Sequence, residues 1–313
     1  MSFSSEVKEE LSRHIPVARH CQIAEAAAIF RMCGQSVRTG SGGIGIRARI
    51  ENPAVASTFA ALLRRGFGIT PAVSVRGEVH LVEVQDPEAA LHVLRAMKFL
   101  NEKGEEDPRE DFISAMVVQN SCCKRAFIRG AFLAGGSISN PEKSYHLEIV
   151  CADQAKADQL VKLMAAFEVE AKTVLRKRYH VVYIKEGSQI VDMLGIMEAH
   201  VALMNLENVR ILKEMRGTVN RKVNCETANI NKTVSAAVEQ INDILYIRDQ
   251  VGFDRLPAGL EEIALARLEQ PDATLKELGD SLDPPVGKSG VNHRLRKLRE
   301  IAAQLREHEE EKL

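Results

Sequence analysis

The sequence predicts an α+β fold class: a domain of two α-ββ-α-ββ-α halves, followed by an all-α helix-turn-helix domain. Three observations predict it. Residues 73 to 84, VSVRGEVHLVEV, run parallel to residues 173 to 184, TVLRKRYHVVYI, sharing an Arg and a His, and FRMCGQS at 30 to 36 runs parallel to FLAGGSIS at 132 to 139. Such internal repetition marks two copies of one structural unit. Within each copy, helical and alternating apolar patterns succeed one another in the same order. Close to the C-terminus, Thr274 to Arg299 reads as helix, turn, helix, with a basic second helix.

Taken in order, residues 1 to 18 form an N-terminal segment to which the pattern assigns no element. The duplicated domain covers 19-200, with halves at about 19-100 and 112-200. Each half opens with an Ala-rich apolar helix (20 to 33; 121 to 135) that ends at a glycine. A hairpin follows (35 to 51; 137 to 152), then a helix (53 to 66; 153 to 167), an alternating hairpin (71 to 85; 170 to 185) and a closing helix (87 to 99; 187 to 198). Two such sheets are able to join into one saddle. Between the halves, NEKGEEDPRED (101 to 111) is an acidic linker containing Pro and Gly.

Residues 201-256 read as a helical linker. Val201, Met204, Ile211, Leu212 and Met215 make one stripe, and Ile230, Val234, Val238, Ile241 and Leu245 another. The stretch from Arg216 to Asn229 is rich in Asn and basic residues, whose Asn and Thr side chains compete for backbone hydrogen bonds, so a break is expected there. Arg221 and Lys222 are either linker chemistry or a second phosphate contact.

The helix-turn-helix domain covers 257-313. AGLEEIALARLE (258 to 269) supplies its first helix, with Ile263, Leu265 and Leu268 for the core. Thr274-Leu275-Lys276-Glu277 is a Ser/Thr-x-x-Glu capping box and opens the next helix. Asp283-Pro284-Pro285 breaks it, and Ser289 is placed to cap the last helix. That helix carries Val291, Leu295, Leu298 and Ala302 on one side and Ser289, His293, Arg296 and Lys297 broadly opposite, with Asn292, Arg294 and Arg299 on the flanks. From Lys288 to Arg299 there are Lys and Arg residues and no acid, a one-sign face suited to phosphates. The chain continues as helix, so no β-wing follows, and the turn from Leu282 to Ser289 is longer than in the simplest helix-turn-helix.

Composition bounds the chemistry. With 42 Lys and Arg against 43 Asp and Glu the net charge is −1, so any nucleic-acid affinity comes from local clusters. The absence of Trp and 4% aromatic content argue against a stacking-type single-strand binder. The start MSFSSEVKEELSRHI is polar and no apolar run has membrane-spanning length, so a cytoplasmic, nucleoid-associated protein without membrane contact is expected. Six cysteines show neither a CxxC pair nor a zinc-type Cys/His spacing, and the nine histidines are scattered. Buried free thiols and no metal or cofactor are expected.

Two phosphate-loop lookalikes do not hold. Gly40-Ser41-Gly42-Gly43-Ile44-Gly45 satisfies G-x-G-x-x-G but precedes a strand, where a dinucleotide fingerprint needs a helix. Gly287-Lys288-Ser289 resembles the end of a Walker A loop, yet Leu282 stands where its first glycine belongs. On the hairpins, Arg47 and Arg49 share one strand face, and Arg176 and Arg178 come from the other half. They are candidate secondary DNA contacts, although His146 and Glu148 replace Arg47 and Arg49 in the second copy. A protein-binding or structural role for this surface stays open.

The element order resembles the LAGLIDADG homing-endonuclease fold. Its motif helices would be Ala26-Ala27-Ala28-Ile29-Phe30-Arg31-Met32-Cys33-Gly34 and Ile128-Arg129-Gly130-Ala131-Phe132-Leu133-Ala134-Gly135-Gly136, with small residues Ala28 and Gly130 at the close helix contact. In the endonucleases an acid from each copy precedes the final glycine and holds divalent ions. Here those positions are Cys33 and Gly135, so the fold is expected without catalytic residues, and the chain is not expected to be an enzyme.

Together with VNRKVNCETANINKT (219 to 233) and DPPVGKSGVNHRLRKL (283 to 298), the degenerate duplicated domain resembles the WhiA family of bacterial regulators over essentially the whole chain. The resemblance implies a DNA-binding transcription regulator linked to cell division, chromosome segregation and, in spore-formers, sporulation. It also implies a C-terminal unit similar to the sigma-factor helix-turn-helix. Double-stranded DNA is the expected partner, with RNA polymerase or another regulator at promoters, and a monomer in solution. Ser289, Asn292, His293 and Arg296 are expected to read bases, and Lys288, Arg294, Lys297 and Arg299 to hold phosphates, with Thr274, Leu275, Lys276 and Gly290 completing the contacts. Alternatives are a scaffold binding a protein or small ligand on the saddle, and an active nuclease.

Overall fold

The structure, a computed structural model, describes residues 2–40, 43–100 and 113–310. The linker expected at 101 to 111 and the loop residues Ser41 and Gly42 lie outside the described residues. The chain divides into two compact units, Met1–Lys213 and Glu214–Leu313.

In the first unit, α1 (Phe3–Arg13) occupies the N-terminal segment for which the sequence predicted no element. Ser2 caps it, its hydroxyl accepting from the Ser5 amide at 3.2 Å, while Val7 and Leu11 enter the core. The first half then runs α2 (Arg19–Cys33), β1 (Gly34–Arg38), β2 (Ile44–Ile50), α3 (Pro53–Phe67), β3 (Ala72–Arg76), β4 (Val79–Val84) and α4 (Pro87–Ala96). The second repeats it as α5 (Ser121–Gly135), β5 (Gly136–Ile138), β6 (Leu147–Cys151), α6 (Gln154–Ala165), β7 (Lys172–Arg176), β8 (Tyr179–Ile184) and α7 (Gly187–Met197). Both sheets are antiparallel with equivalent strand orders, β1-β2-β4-β3 and β5-β6-β8-β7. The predicted element order is therefore borne out twice over.

The sheets do not join. Among the described residues no strand of one half pairs with a strand of the other, so each half keeps its own four-stranded sheet. The physical reason lies in α2 and α5, through which the halves meet helix on helix. Both helices are buried on most of their circumference, as core helices are. A Cβ at Gly130 would come within 2.5 Å of the Glu25 carbonyl oxygen and 2.9 Å of the Ala28 methyl, so the close contact requires the small residues that the motif predicted. Beside it Arg129, 2% exposed, donates to Glu25 Oε2 at 2.8 and 3.1 Å and to Glu198 at 2.6 Å. Burial pushes the Glu25 carboxyl up to about 7 against the pull of Arg129.

The long helix α8 (His200–Val251) runs on into the second unit. The break expected between Arg216 and Asn229 is absent, and the helix is continuous through it. Thr218 donates to the Glu214 carbonyl and Thr233 to that of Asn229, each at 3.0 Å, while the Asn side chains are exposed. The apolar stripes read from the sequence are largely exposed, with Met204 at 59% and Ile230 at 61%.

The second unit completes itself with α9 (Ala258–Glu269), α10 (Leu275–Asp280) and α11 (Lys288–Glu310). Its core gathers Ile244 and Ile247 of α8, Leu260 and Ile263 of α9, Leu278 of α10, and Val291, Leu295, Leu298 and Ala302 of α11. Leu265, predicted for this core, is exposed instead, because the inward face of α9 is Leu260, Ile263, Ala264 and Arg267. Arg267 is buried for a purpose: its Nη1 donates to the carbonyls of Ala273 at 2.6 Å and Pro271 at 3.3 Å, bracing the turn that leads into α10.

Candidate nucleic-acid interface

The interface is built from α10, the turn after it and the first turns of α11. The capping box forms as predicted: Thr274 Oγ1 accepts from the Glu277 amide at 3.3 Å, and the Thr274 amide donates to Glu277 Oε2 at 2.7 Å. These bonds hold the Glu277 carboxyl below its usual range. The turn is then folded back onto α10, the Val286 amide donating to the Gly279 carbonyl at 2.9 Å.

The capping position of α11 lies two residues earlier than the sequence suggested. The Val291 amide donates to the Gly287 carbonyl at 3.1 Å, so Gly287 holds the capping position and Ser289 lies within the first turn. The two-faced reading of this helix holds. Val291, Leu295, Leu298 and Ala302 are buried, whereas Lys288, Ser289, Asn292, His293, Arg296, Lys297 and Arg299 are exposed.

Ion pairing separates the basic residues into two groups. Arg296 pairs with Glu300 at 3.3 Å along the helix, and Arg299 with Glu239 of α8 at 3.3 Å. Arg294 is half-buried, 3.6 Å from Glu262 and packed over Gly259, so its charge is turned toward α9. Lys276, Lys288 and Lys297 make no ion pair among the described residues. Leu275 and Gly290 are half-buried, Leu275 against the core and Gly290 against Val286.

One contribution was not singled out by the sequence. A groove of about 540 Å³ within this unit is lined by Lys232 and Thr233 of α8 together with Thr274, Lys276, Lys288 and Asn292. Lys232 sits in the Asn-rich string 219 to 233, which was the available signal, but only folding brings it beside the two lysines of α10 and α11.

The secondary candidates divide in the same way. Arg47 is paired with Glu83, which faces it in register across β2 and β4, and Arg176 lies 3.2 Å from Glu148. Arg178 stacks over the Tyr179 ring at 5.1 Å, and Arg49 is exposed. On α8, Arg221 donates to Thr218 Oγ1 at 3.0 Å and Lys222 is exposed.

At the degenerate motif ends, Cys33 closes α2 and its thiol donates to the Ile29 carbonyl at 3.0 Å, with burial pushing its pKa up to about 12. Gly135 closes α5, and a Cβ there would meet Met32 Cε at 2.7 Å and the Val150 carbonyl at 3.0 Å. The place where an acid would project is filled by a methionine.

The sequence reading of separate, buried thiols needs correction. Cys122 and Cys225 are exposed, and His20, Cys21, Cys122 and Cys123 converge at the N-terminal ends of α2 and α5, their ligand atoms all within 4.8 Å of one another. Among the described residues no helix is long and apolar enough to cross a membrane.

Three family models match the chain: the WhiA N-terminal LAGLIDADG-like domain over residues 19–85, the WhiA LAGLIDADG-like domain over 124–216 and the WhiA C-terminal HTH domain over 219–302. Among curated relatives, a probable cell division protein WhiA from Lachnoclostridium phytofermentans is 51% identical over 98% of this chain and 100% of its own length. A namesake from Thermoanaerobacter pseudethanolicus is 47% identical over 98% and 99%. Among solved structures, full-length WhiA from Thermatoga maritima is similar in fold at 24% identity, with a TM-score of 0.58 over 97% of this chain and 99% of that one.

Proposed function

We infer the function from one premise: this chain belongs to the WhiA family. It acts as a duplex-DNA-binding regulator of the cell-division type named for its relatives, with a part in chromosome segregation and, in spore-formers, sporulation. The helix-turn-helix domain reads the DNA and the duplicated domain carries no nuclease activity.

The observation that carries this reading is the exposed face of α11. Asn292, His293 and Arg296 are solvent-facing side chains able to donate to base edges, and they stand on a helix whose other side is buried in the core. Lys297 on the same helix, and Lys276 and Lys288 beside the groove, provide charge for the phosphates on either side. Gly135, which lacks a ligand atom, and Cys33, a poor ligand for a hard ion, support the absence of phosphodiester hydrolysis. The protein works at promoters, where RNA polymerase or another regulator is its partner, and needs no second copy because the duplication already supplies a pseudo-two-fold.

The test uses the full chain. Bound duplexes are selected from a random pool, and the parent and Asn292→Ala are compared on the selected sequence and on unselected duplex. Loss confined to the selected sequence supports base reading by α11. Equal loss on both, or none on either, refutes it.

A further inference from the structure

We propose that His20, Cys21, Cys122 and Cys123 form a Cys3His zinc site that ties together the N-terminal ends of α2 and α5. The DNA-binding reading does not use these residues. His20 and Cys21 occupy the first turn of α2, and Cys122 and Cys123 the first turn of α5. His20 and Cys122 are 102 residues apart in sequence, as are Cys21 and Cys123, so the internal duplication places each pair opposite its own copy.

The geometry suits a tetrahedral ion. His20 Nδ1 stands 3.1 Å from Cys123 Sγ, 3.3 Å from Cys21 Sγ and 4.0 Å from Cys122 Sγ. Zinc bonds of about 2.3 Å to sulfur and about 2.0 Å to nitrogen set tetrahedral edges of roughly 3.5–3.8 Å, which these separations bracket. The three His20 separations each lie within about half an ångström of the nitrogen–sulfur edge of such a site, and all four ligand atoms lie within 4.8 Å of one another.

The chemistry of the donors selects the ion. Three thiolates and one imidazole favour zinc over the hard divalent ions of a nuclease site. Neither helix has a side-chain cap at this end, since Ala18 and Asn120 make no capping hydrogen bond, and the four ligands stand in the first turns, where the positive helix end favours negative charge. Binding releases the three thiol protons to solvent. Cys21 and Cys123 are buried whereas His20 and Cys122 are exposed, which gives the ion a way in while leaving no coordination position for substrate. Four protein ligands make the site structural rather than catalytic.

The full chain, purified with reductant and without chelator from zinc-supplemented medium, is assayed for metal content. About one zinc per chain is expected for a four-ligand site. After chelator treatment, cobalt should restore a thiolate charge-transfer band and the visible bands of a tetrahedral ion. Cys122→Ser, at an exposed position, should lose most of the zinc while keeping parental helicity, and Cys225→Ser should keep it. The proposal is overturned if the parent holds neither zinc nor tetrahedral cobalt. It is equally overturned if Cys122→Ser and Cys123→Ser both retain the parental zinc content, or if the reduced protein takes up no metal and two of Cys21, Cys122 and Cys123 instead join as a disulfide when dissolved oxygen is admitted as the oxidant.

Discussion

The Val286 amide donates to the Gly279 carbonyl at 2.9 Å, and a Cβ added at Gly279 would collide with the Val286 carbonyl oxygen. The long turn between α10 and α11 is therefore a folded part of the second unit. The close approach of its backbone to α10 helps set where Lys288 and the first turn of α11 stand.

Gly279→Ala should destabilise the second unit by about 1–3 kcal/mol, the usual cost of forcing a methylene into a packed site. Chemical denaturation followed by helicity measures it. DNA affinity should fall with it, and an unchanged midpoint would show that the turn yields freely.

Two neighbouring residues on α11 should fail differently. Arg296→Ala should cost about 1–3 kcal/mol on the preferred sequence and relax preference at one base position. Lys297→Ala should weaken all sequences alike and reduce the salt slope by about one unit. Binding isotherms on preferred and random duplex at several salt concentrations separate them, and identical behaviour would remove the division between base and phosphate contacts.

Glu25 predicts a pH dependence of stability. Its carboxyl is raised from 4.5 to about 7 by burial, with Arg129 opposing. Between those values the folded chain binds more protons at this site than the unfolded chain, so its contribution is full below 4.5 and is lost as pH rises through about 7. Glu25→Gln should flatten this part of the curve in thermal unfolding and compare most favourably with the parent above that range. A parent whose advantage over Glu25→Gln grows with rising pH would contradict it.

With magnesium present, the full chain should leave supercoiled plasmid uncut, as read by gel electrophoresis. Gly135→Asp should not introduce cutting and should lower the unfolding temperature, because Met32 and the Val150 carbonyl crowd the new side chain. Cleavage by the parent would reverse the reading of the motif ends.

What could be read along the chain was whatever depends on local order. The capping box at Thr274, the buried stripe Val291, Leu295, Leu298 and Ala302, and the repeated order of helices and strands are all properties of spacing within a few turns. Local signals were weaker where competing local bonds exist. The Asn-rich stretch of α8 is helical throughout, with its Asn side chains in solvent and the Thr218 hydroxyl returned to its own helix.

The sequence by itself determined the α+β duplication, the terminal helix-turn-helix and the two-faced character of α11, because periodicity and capping act between near neighbours. Tertiary structure alone decided that the sheets stay apart, that Arg294 turns toward Glu262, that Lys232 joins Lys276 and Lys288, and that His20 and Cys21 meet Cys122 and Cys123. The physical reason is distance along the chain. A residue's neighbours across 30 to 100 positions are set by how helices pack, here through Gly130 against the Glu25 backbone, and no short-range pattern records that packing.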